Sequence, residues 1–229
     1  MNHSSHGETA DQQIEQLKRN MQIALPGLKA MLKMAPPFRE ELIARTLTRA
    51  QPRMAAVLVP ITIKNQQIHI ILTKRSTYPG VHSAQVSFPG GSKEQEDEHL
   101  QATALRETQE ELRLKDSQIE LLGALTPIYI PPSNYWVHPF AGILHNPPIE
   151  WKPQAEEVAQ VLEPSLRQLL EPGIRVKKQT QTSEGSQEVP GFQLGQHFIW
   201  GATAMMLEEF LCLIAPHNIH QHNSPIEPK

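Results

Sequence analysis

The sequence predicts an α/β layered domain preceded by a helical extension, on three observations. Val- and Ile-rich runs of strand character recur between residues 53 and 144, helical patterns are interspersed with them, and an apolar helix, ATAMMLEEFLCLIA, follows at 202–215. Mixed strands and helices of this kind pack as layers around a shared core. With 229 residues, 39% of them hydrophobic and 20% charged, the chain has room for one large domain with extensions. We expect residues 1–50 to form a tail and helical extension, 51–215 the main domain, and 216–229 a flexible tail.

Taken in order, residues 10–49 carry a helical pattern broken at Pro26 and at Pro36-Pro37. These helices either serve a dimer interface, giving a homodimer, or cover the core. RMAAVLVPITI (53–63) and IHIILTKRS (68–76) read as strands joined by the turn NQQ, hence a hairpin. AQVSFPGG (84–91) reads as a short strand ending in a glycine loop, and a helix is expected from Glu98 to Leu112. QIELLGALTPIYI (118–130) and WVHPFAGIL (136–144) follow as strands, and EVAQVLEPSLRQLL (157–170) as a strand turning into a short helix at Pro164. GIRVKKQT and FQLGQHFIW read as strands on either side of a flexible loop, QTSEGSQEVPG.

Composition excludes several classes. Lys plus Arg number 21 against 24 Asp plus Glu, a formal net charge of -3, so there is no bulk attraction to nucleic acid or an acidic membrane. No apolar run approaches the ~20 residues that span a bilayer, and the polar N-terminus lacks the apolar core of a secretory signal. The single cysteine, Cys212, cannot form an internal disulfide. A soluble, cytoplasmic protein is expected. The histidines at 3, 6, 217, 220 and 222 are scattered through polar tails and read as solvated.

The chemistry concentrates in VSFPGGSKEQEDEHLQATALRETQEELRL, residues 86–114. At about 100° per residue, Leu100, Ala104, Leu105, Thr108 and Leu112 share a core-facing stripe, and Glu107, Glu110 and Glu111 occupy a neighbouring arc. Such an arc is either a solvated acidic face or a ligand set. Two details favour the second: the acids sit at the helix C-terminus, where the dipole disfavours negative charge, and glycines that admit close backbone approach precede the helix. Clustered carboxylates on a rigid element suit a hard divalent cation, so the pattern points to metal-assisted phosphate chemistry.

The same segment resembles the Nudix box, G-x5-E-x7-R-E-U-x-E-E-x-G-U, with U aliphatic. Arg106-Glu107, Glu110-Glu111 and Leu114 match its RE-x-x-EE-x-x-U part. Counting places the first acid one residue out of register, leaving Asp97 or Glu98 to fill it; Thr108 stands at an aliphatic position and Arg113 at the glycine. Because a non-Gly residue with φ > 0 is uncommon, Arg113 implies a changed helix end. The resemblance implies a Nudix-type α/β/α sandwich with a mixed sheet, and hydrolysis of a nucleoside diphosphate linked to another group. It implies Mg²⁺ or Mn²⁺ bound by Glu107, Glu110 and Glu111, or by two of them with Glu107 acting instead as general base, and Arg106 positioning a glutamate. A base or further ligand from a later loop falls to Glu156 or Glu157.

Upstream, ILTKRSTYPGVHSAQVSFPGG (71–91) is similar to the L-L-T-x-R-(S/A)…H-x-G-Q-V-S-F-P-G-G motif of coenzyme A-type Nudix hydrolases, with Ala84 at a glycine position. PPSNYWVHPFAG (131–142) and IWGATAMML (199–207) also resemble that subfamily, so the likeness runs from about Arg53 to Leu213. It implies a metal-dependent pyrophosphatase whose small-molecule substrate is coenzyme A (CoA) or acyl-CoA. Lys74 and Arg75 are the expected phosphate cations, Gly90 and Gly91 the close backbone approach, and His82 a phosphate contact or a turn cap. Tyr135 and Trp136 are either stacking partners for adenine or core aromatics. A Nudix enzyme for another diphosphate (ADP-ribose, NADH, a dinucleoside polyphosphate) and a non-catalytic nucleotide-binding Nudix module are the alternatives.

Overall fold

The computed structural model describes residues 8–46, 51–77 and 85–216. Its centre is a mixed sheet built on β1 (Arg53–Lys64), which runs parallel to β8 (Tyr135–Leu144). β2 (Gln67–Ile70) flanks β1, β6 (Ile119–Ala124) flanks β8, and β5 (Gly90–Ser92) and β7 (Ile128–Ile130) add short antiparallel pairings to β1 and β8. A near-continuous apolar strand such as β1 is what a sheet covered on both faces requires. Successive side chains alternate between faces, so Ala56 and Leu58 meet Ala104 and Phe140 on one side. Ala55, Val59 and Ile61 join the larger core on the other.

The first face is covered by α4 (Leu100–Leu112) and the second by α6 (Gly201–Ile214), which makes the α/β/α sandwich. Helix α6 is apolar almost all round, and such a helix must be enclosed. The N-terminal helices α1 (Ala10–Ile23) and α2 (Gly27–Met31) enclose it. A Thr9–Gln12 capping box starts α1 and its Ala10, Ile14 and Leu17 are buried. Glu209, fully buried on α6, accepts from the Gly27 amide (3.0 Å), the Thr126 amide (3.1 Å) and the Thr126 hydroxyl (2.5 Å). That carboxylate ties the extension to the β6–β7 corner. A third helix, α3 (Arg39–Thr46), packs near the turn at Pro131–Ser133.

Several expectations are corrected. The strand expected at 68–76 divides at Ile71, whose amide bonds to Pro60 O (2.9 Å). Its second half, β3 (Leu72–Arg75), leaves the central sheet to pair with β4 (Val86–Ser87) and β9 (Val158–Leu162). The strand expected at 118–130 breaks between Ala124 and Ile128, at the corner that Glu209 holds. The flexible loop expected at 181–191 is a hairpin: β10 (Arg175–Thr182) pairs residue for residue with β11 (Gly185–Leu194), which also pairs with β12 (His197–Trp200). Its outer residues are polar on both faces, so no apolar alternation marks them as strand. The strand-to-helix turn expected near Pro164 is present, β9 being followed by α5 (Leu166–Leu170).

Gly90 and Gly91 are strand residues of β5, not loop residues. At Gly90 φ is +149°, and a Cβ there would fall 2.4 Å from Ala56 O. Arg113 does not change the helix end either. It takes the left-handed conformation itself (φ 54°, ψ 46°), its amide bonding to Gln109 O as a glycine's would. Its long side chain stays exposed, so only the local backbone cost remains.

Candidate active site

Helix α4 presents the acids in three environments. Glu111 is buried, with 3% of its side chain exposed; Glu107 is partly buried at 14%; Glu110 is exposed at 54%. Glu107 lies against Gly91, where a Cβ would fall 2.3 Å from its Oε1, so the strand must be bare there for the carboxylate to fit. Glu111 accepts from the Gly90 amide and faces Arg75, whose Nη1 lies 3.9 Å from its Oε1.

Glu157 arrives from the loop before β9. That loop is docked onto the end of α4 by Gln154 N bonding to Glu111 O (3.0 Å) and onto β3 by Ser76 N bonding to Glu157 O (2.8 Å). Carboxylate oxygens of Glu107, Glu111 and Glu157 thereby lie within 4.8 Å of one another. Glu156, the other loop acid, is exposed and outside this cluster. So is Glu110, expected as a ligand, which pairs instead with Arg106 Nη1 at 3.2 Å.

Arg106 organises the flank. Its Nε and Nη2 each donate to Asp97 at 3.0 Å, a forked pair. Nη2 also reaches Ser92 O and Glu107 Oε1, both at 3.2 Å. Asp97 is buried and accepts further from Thr103 Oγ1 and the Glu94 amide, both at 2.9 Å, whereas Glu98 is exposed. The displaced first acid of the motif is therefore Asp97, and its task is to fix Arg106. The Arg106 guanidinium, with help from the Glu94 amide and Thr103, holds the Asp97 carboxyl well below the usual range.

The cluster is electrostatically uncompensated. Burial pushes the Glu111 carboxyl up to about 8, and Glu107 and Glu157 add repulsion that the Arg75 attraction does not cancel. Burial likewise raises Glu107, against the pull of Arg106. Glu111 Oε2 is buried and has no hydrogen-bond partner among the described residues. Three converging carboxylates, one with an orphaned oxygen, form the hard oxygen donor set that fits Mg²⁺ or Mn²⁺.

Beside the cluster lies a cavity of about 400 Å³ whose wall includes Arg75 and Gly90. A register shift separates Lys74 from Arg75 on β3, the kind of bulge that re-aims side chains. Arg75 faces Glu111 and lines this cavity, whereas Lys74 is outside the lining and in the electrostatic surroundings of His197. His82 lies outside the described residues. Tyr135 bonds to Ser92 Oγ (2.7 Å) beneath the Arg53 guanidinium, and Trp136 packs on Tyr129 with centroids 5.6 Å apart. Neither lines the cavity; Phe38 and Trp200 do. Phe38 and Arg39, also in the wall, were missed in the sequence, where nothing local distinguishes them from an ordinary helix start.

The NUDIX-domain family model matches residues 52–181, more than half of the chain. The chain belongs to the Nudix family. It is 37% identical over 182 residues to the mouse mitochondrial coenzyme A diphosphatase NUDT8, covering 77% of this chain and 86% of that protein. It is 33% identical over 172 residues to the uncharacterized Nudix hydrolase NudL of Salmonella dublin, covering 75% and 86%. Among solved structures, a MutT/nudix family protein from Enterococcus faecalis aligns at 16% identity and a TM-score of 0.46, over 75% of this chain and 71% of that one. This Nudix hydrolase thus carries the family's acid-bearing helix together with a loop carboxylate. Among the described residues no helix is long and apolar enough to cross a membrane.

Proposed function

We propose that this Nudix hydrolase cleaves the diphosphate of CoA or an acyl-CoA, giving 3',5'-ADP and 4'-phosphopantetheine or its acylated form. The observation that carries the chemistry is the convergence of Glu107, Glu111 and Glu157 with an orphaned oxygen on Glu111. The substrate assignment is supported by the 71–91 motif and by the mouse relative, whose name is that of a coenzyme A diphosphatase.

In this reading Glu107 and Glu111 hold a Mg²⁺ or Mn²⁺ ion, with Glu110 reaching it by exchanging its Arg106 pairing and Glu157 standing beside it. The bound cation supplies charge neutralisation at the diphosphate and lowers the pKa of water. Arg106, locked by Asp97, holds Glu107 in place. Arg75 pairs with diphosphate oxygens at the cavity end nearest Glu111. Glu157, on the exposed side of the cluster, takes the proton from the attacking water; Glu107, the base expected from the sequence, serves here as a ligand. The mouse relative's name places that protein in mitochondria; for this chain we retain the cytoplasm as the proposed compartment.

The test is CoA turnover by EDTA-stripped protein before and after adding Mg²⁺ or Mn²⁺. Recovery with either ion supports the assignment, and no CoA turnover with both sinks it.

A further inference from the structure

Arg39, at the start of α3, lines the same cavity as Arg75 but in a different state. Arg75 faces Glu111. Arg39 donates Nη2 to Tyr129 O (2.7 Å), and among the described residues the arginine ion pairs belong to Arg45, Arg75, Arg106, Arg167 and Arg175. Burial lowers its pKa with no carboxylate to offset the effect. A desolvated guanidinium without an anion is costly, and its remaining donors form a fork suited to phosphate.

The cavity it lines carries apolar and partly flat groups, Phe38, Leu42, Ile130, Pro131 and Trp200, beside polar ones such as Gln181 and Thr182. An aliphatic chain would use that wall and leave the Arg39 charge uncompensated in a drier cavity. A planar base attached to a phosphomonoester uses both, the base on the aromatic and aliphatic faces and the phosphate on the guanidinium.

We propose that Arg39 and its apolar surroundings form a subsite for a nucleotide base bearing a phosphomonoester. Resting on the reading above, that is the 3'-phosphoadenosine half of CoA. Phe38, Arg39 and Leu42 on one side and Trp200 on the other lie outside the segment 52–181 shared with the family model. The flanks therefore supply Arg39 and much of the apolar wall, while the shared segment supplies the chemistry together with Ile130, Pro131 and the Tyr129 carbonyl that anchors Arg39.

The experiment compares CoA with dephospho-CoA, which lacks only the 3'-phosphate, using the full chain loaded with Mg²⁺. The wild type favours CoA in kcat/KM on the order of 10- to 100-fold, the worth of hydrogen bonds to a charged group. Arg39→Gln brings that ratio close to one, chiefly through KM for CoA, and Arg39→Lys recovers part of it. In a readout independent of turnover, 3',5'-ADP raises the Tm of the wild type more than 5'-AMP does, and Arg39→Gln removes the difference. Equal use of both substrates by the wild type overturns the subsite and leaves the CoA reading standing. So does an Arg39→Gln variant that loses both substrates by the same factor, the mark of a structural role. Turnover of neither, with turnover of another nucleoside diphosphate derivative, fells the CoA reading and the subsite together.

Discussion

Replacing Glu111 by Gln should stabilise the metal-free protein while destroying its function. Burial raises the Glu111 carboxyl from its ordinary 4.5 to about 8. A raised carboxyl favours its protonated form in the fold, so its contribution to stability is full below about pH 4.5. That contribution is lost progressively as pH rises from there to about 8. At 1.36 kcal/mol per pH unit, ionising it in the folded state costs about 5 kcal/mol above pH 8. The Arg75 attraction is already contained in that figure; the Gln amide must itself be desolvated, and we take about 2 kcal/mol as the net gain. For a chain of this size that raises Tm by about 4–8 °C. The assay is thermal melting at pH 8 in EDTA, then with Mn²⁺. Wild type should gain about 2–3 kcal/mol from saturating metal; the variant should start higher, gain little, and turn over CoA at least ~100-fold more slowly. An EDTA-treated variant melting below wild type with a full metal increment would refute the picture of a repelling, metal-ready cluster.

Three further substitutions probe the supports of the site. Asp97→Asn leaves Arg106 without its forked partner and should cost about 3 kcal/mol in a urea melt at pH 7; since the Asp97 carboxyl is held below its ordinary 3.8, the wild-type advantage should be full above about pH 4 and shrink below it. Gly91→Ala places a Cβ 2.3 Å from the Glu107 carboxylate, so kcat/KM should fall about 100-fold with little change in Tm, because the clashing group is a flexible side-chain end. Arg113→Gly relieves a left-handed arginine at φ 54° and should raise stability by about 0.5–1 kcal/mol in a denaturant titration, with kcat unchanged.

The sequence disclosed what depends on short-range spacing. Helix periodicity placed Glu107 and Glu111 on one arc, and the strand character of 53–63 and 136–144 marked the buried centre of the sheet. What depends on distant packing was less legible. Glu157 is separated from Glu111 by three strands and a loop, and docking of that loop through Gln154 and Glu157 backbone bonds brings the two together. Whether Asp97 or Glu98 anchors Arg106 was undecided by counting and is decided by burial. Only residues 181–191 of the β10–β11 hairpin read as a loop, because its outer part is polar on both faces. Arg113 was expected to alter the helix end, yet the residue adopted the glycine-like conformation instead. The Glu-Glu pair inside the apolar run MMLEEFLCL was a signal passed over: Glu208 pairs with Arg175 (2.9 Å), and Glu209 clamps the N-terminal extension.

The central claim is tested most directly by kcat/KM across CoA, ADP-ribose, NADH and a dinucleoside polyphosphate with Mg²⁺ and with Mn²⁺, products being resolved by chromatography. The account predicts CoA as the preferred substrate and 3',5'-ADP with 4'-phosphopantetheine as its products. Preference for any of the other three, or cleavage of CoA at a bond outside its diphosphate, would contradict it.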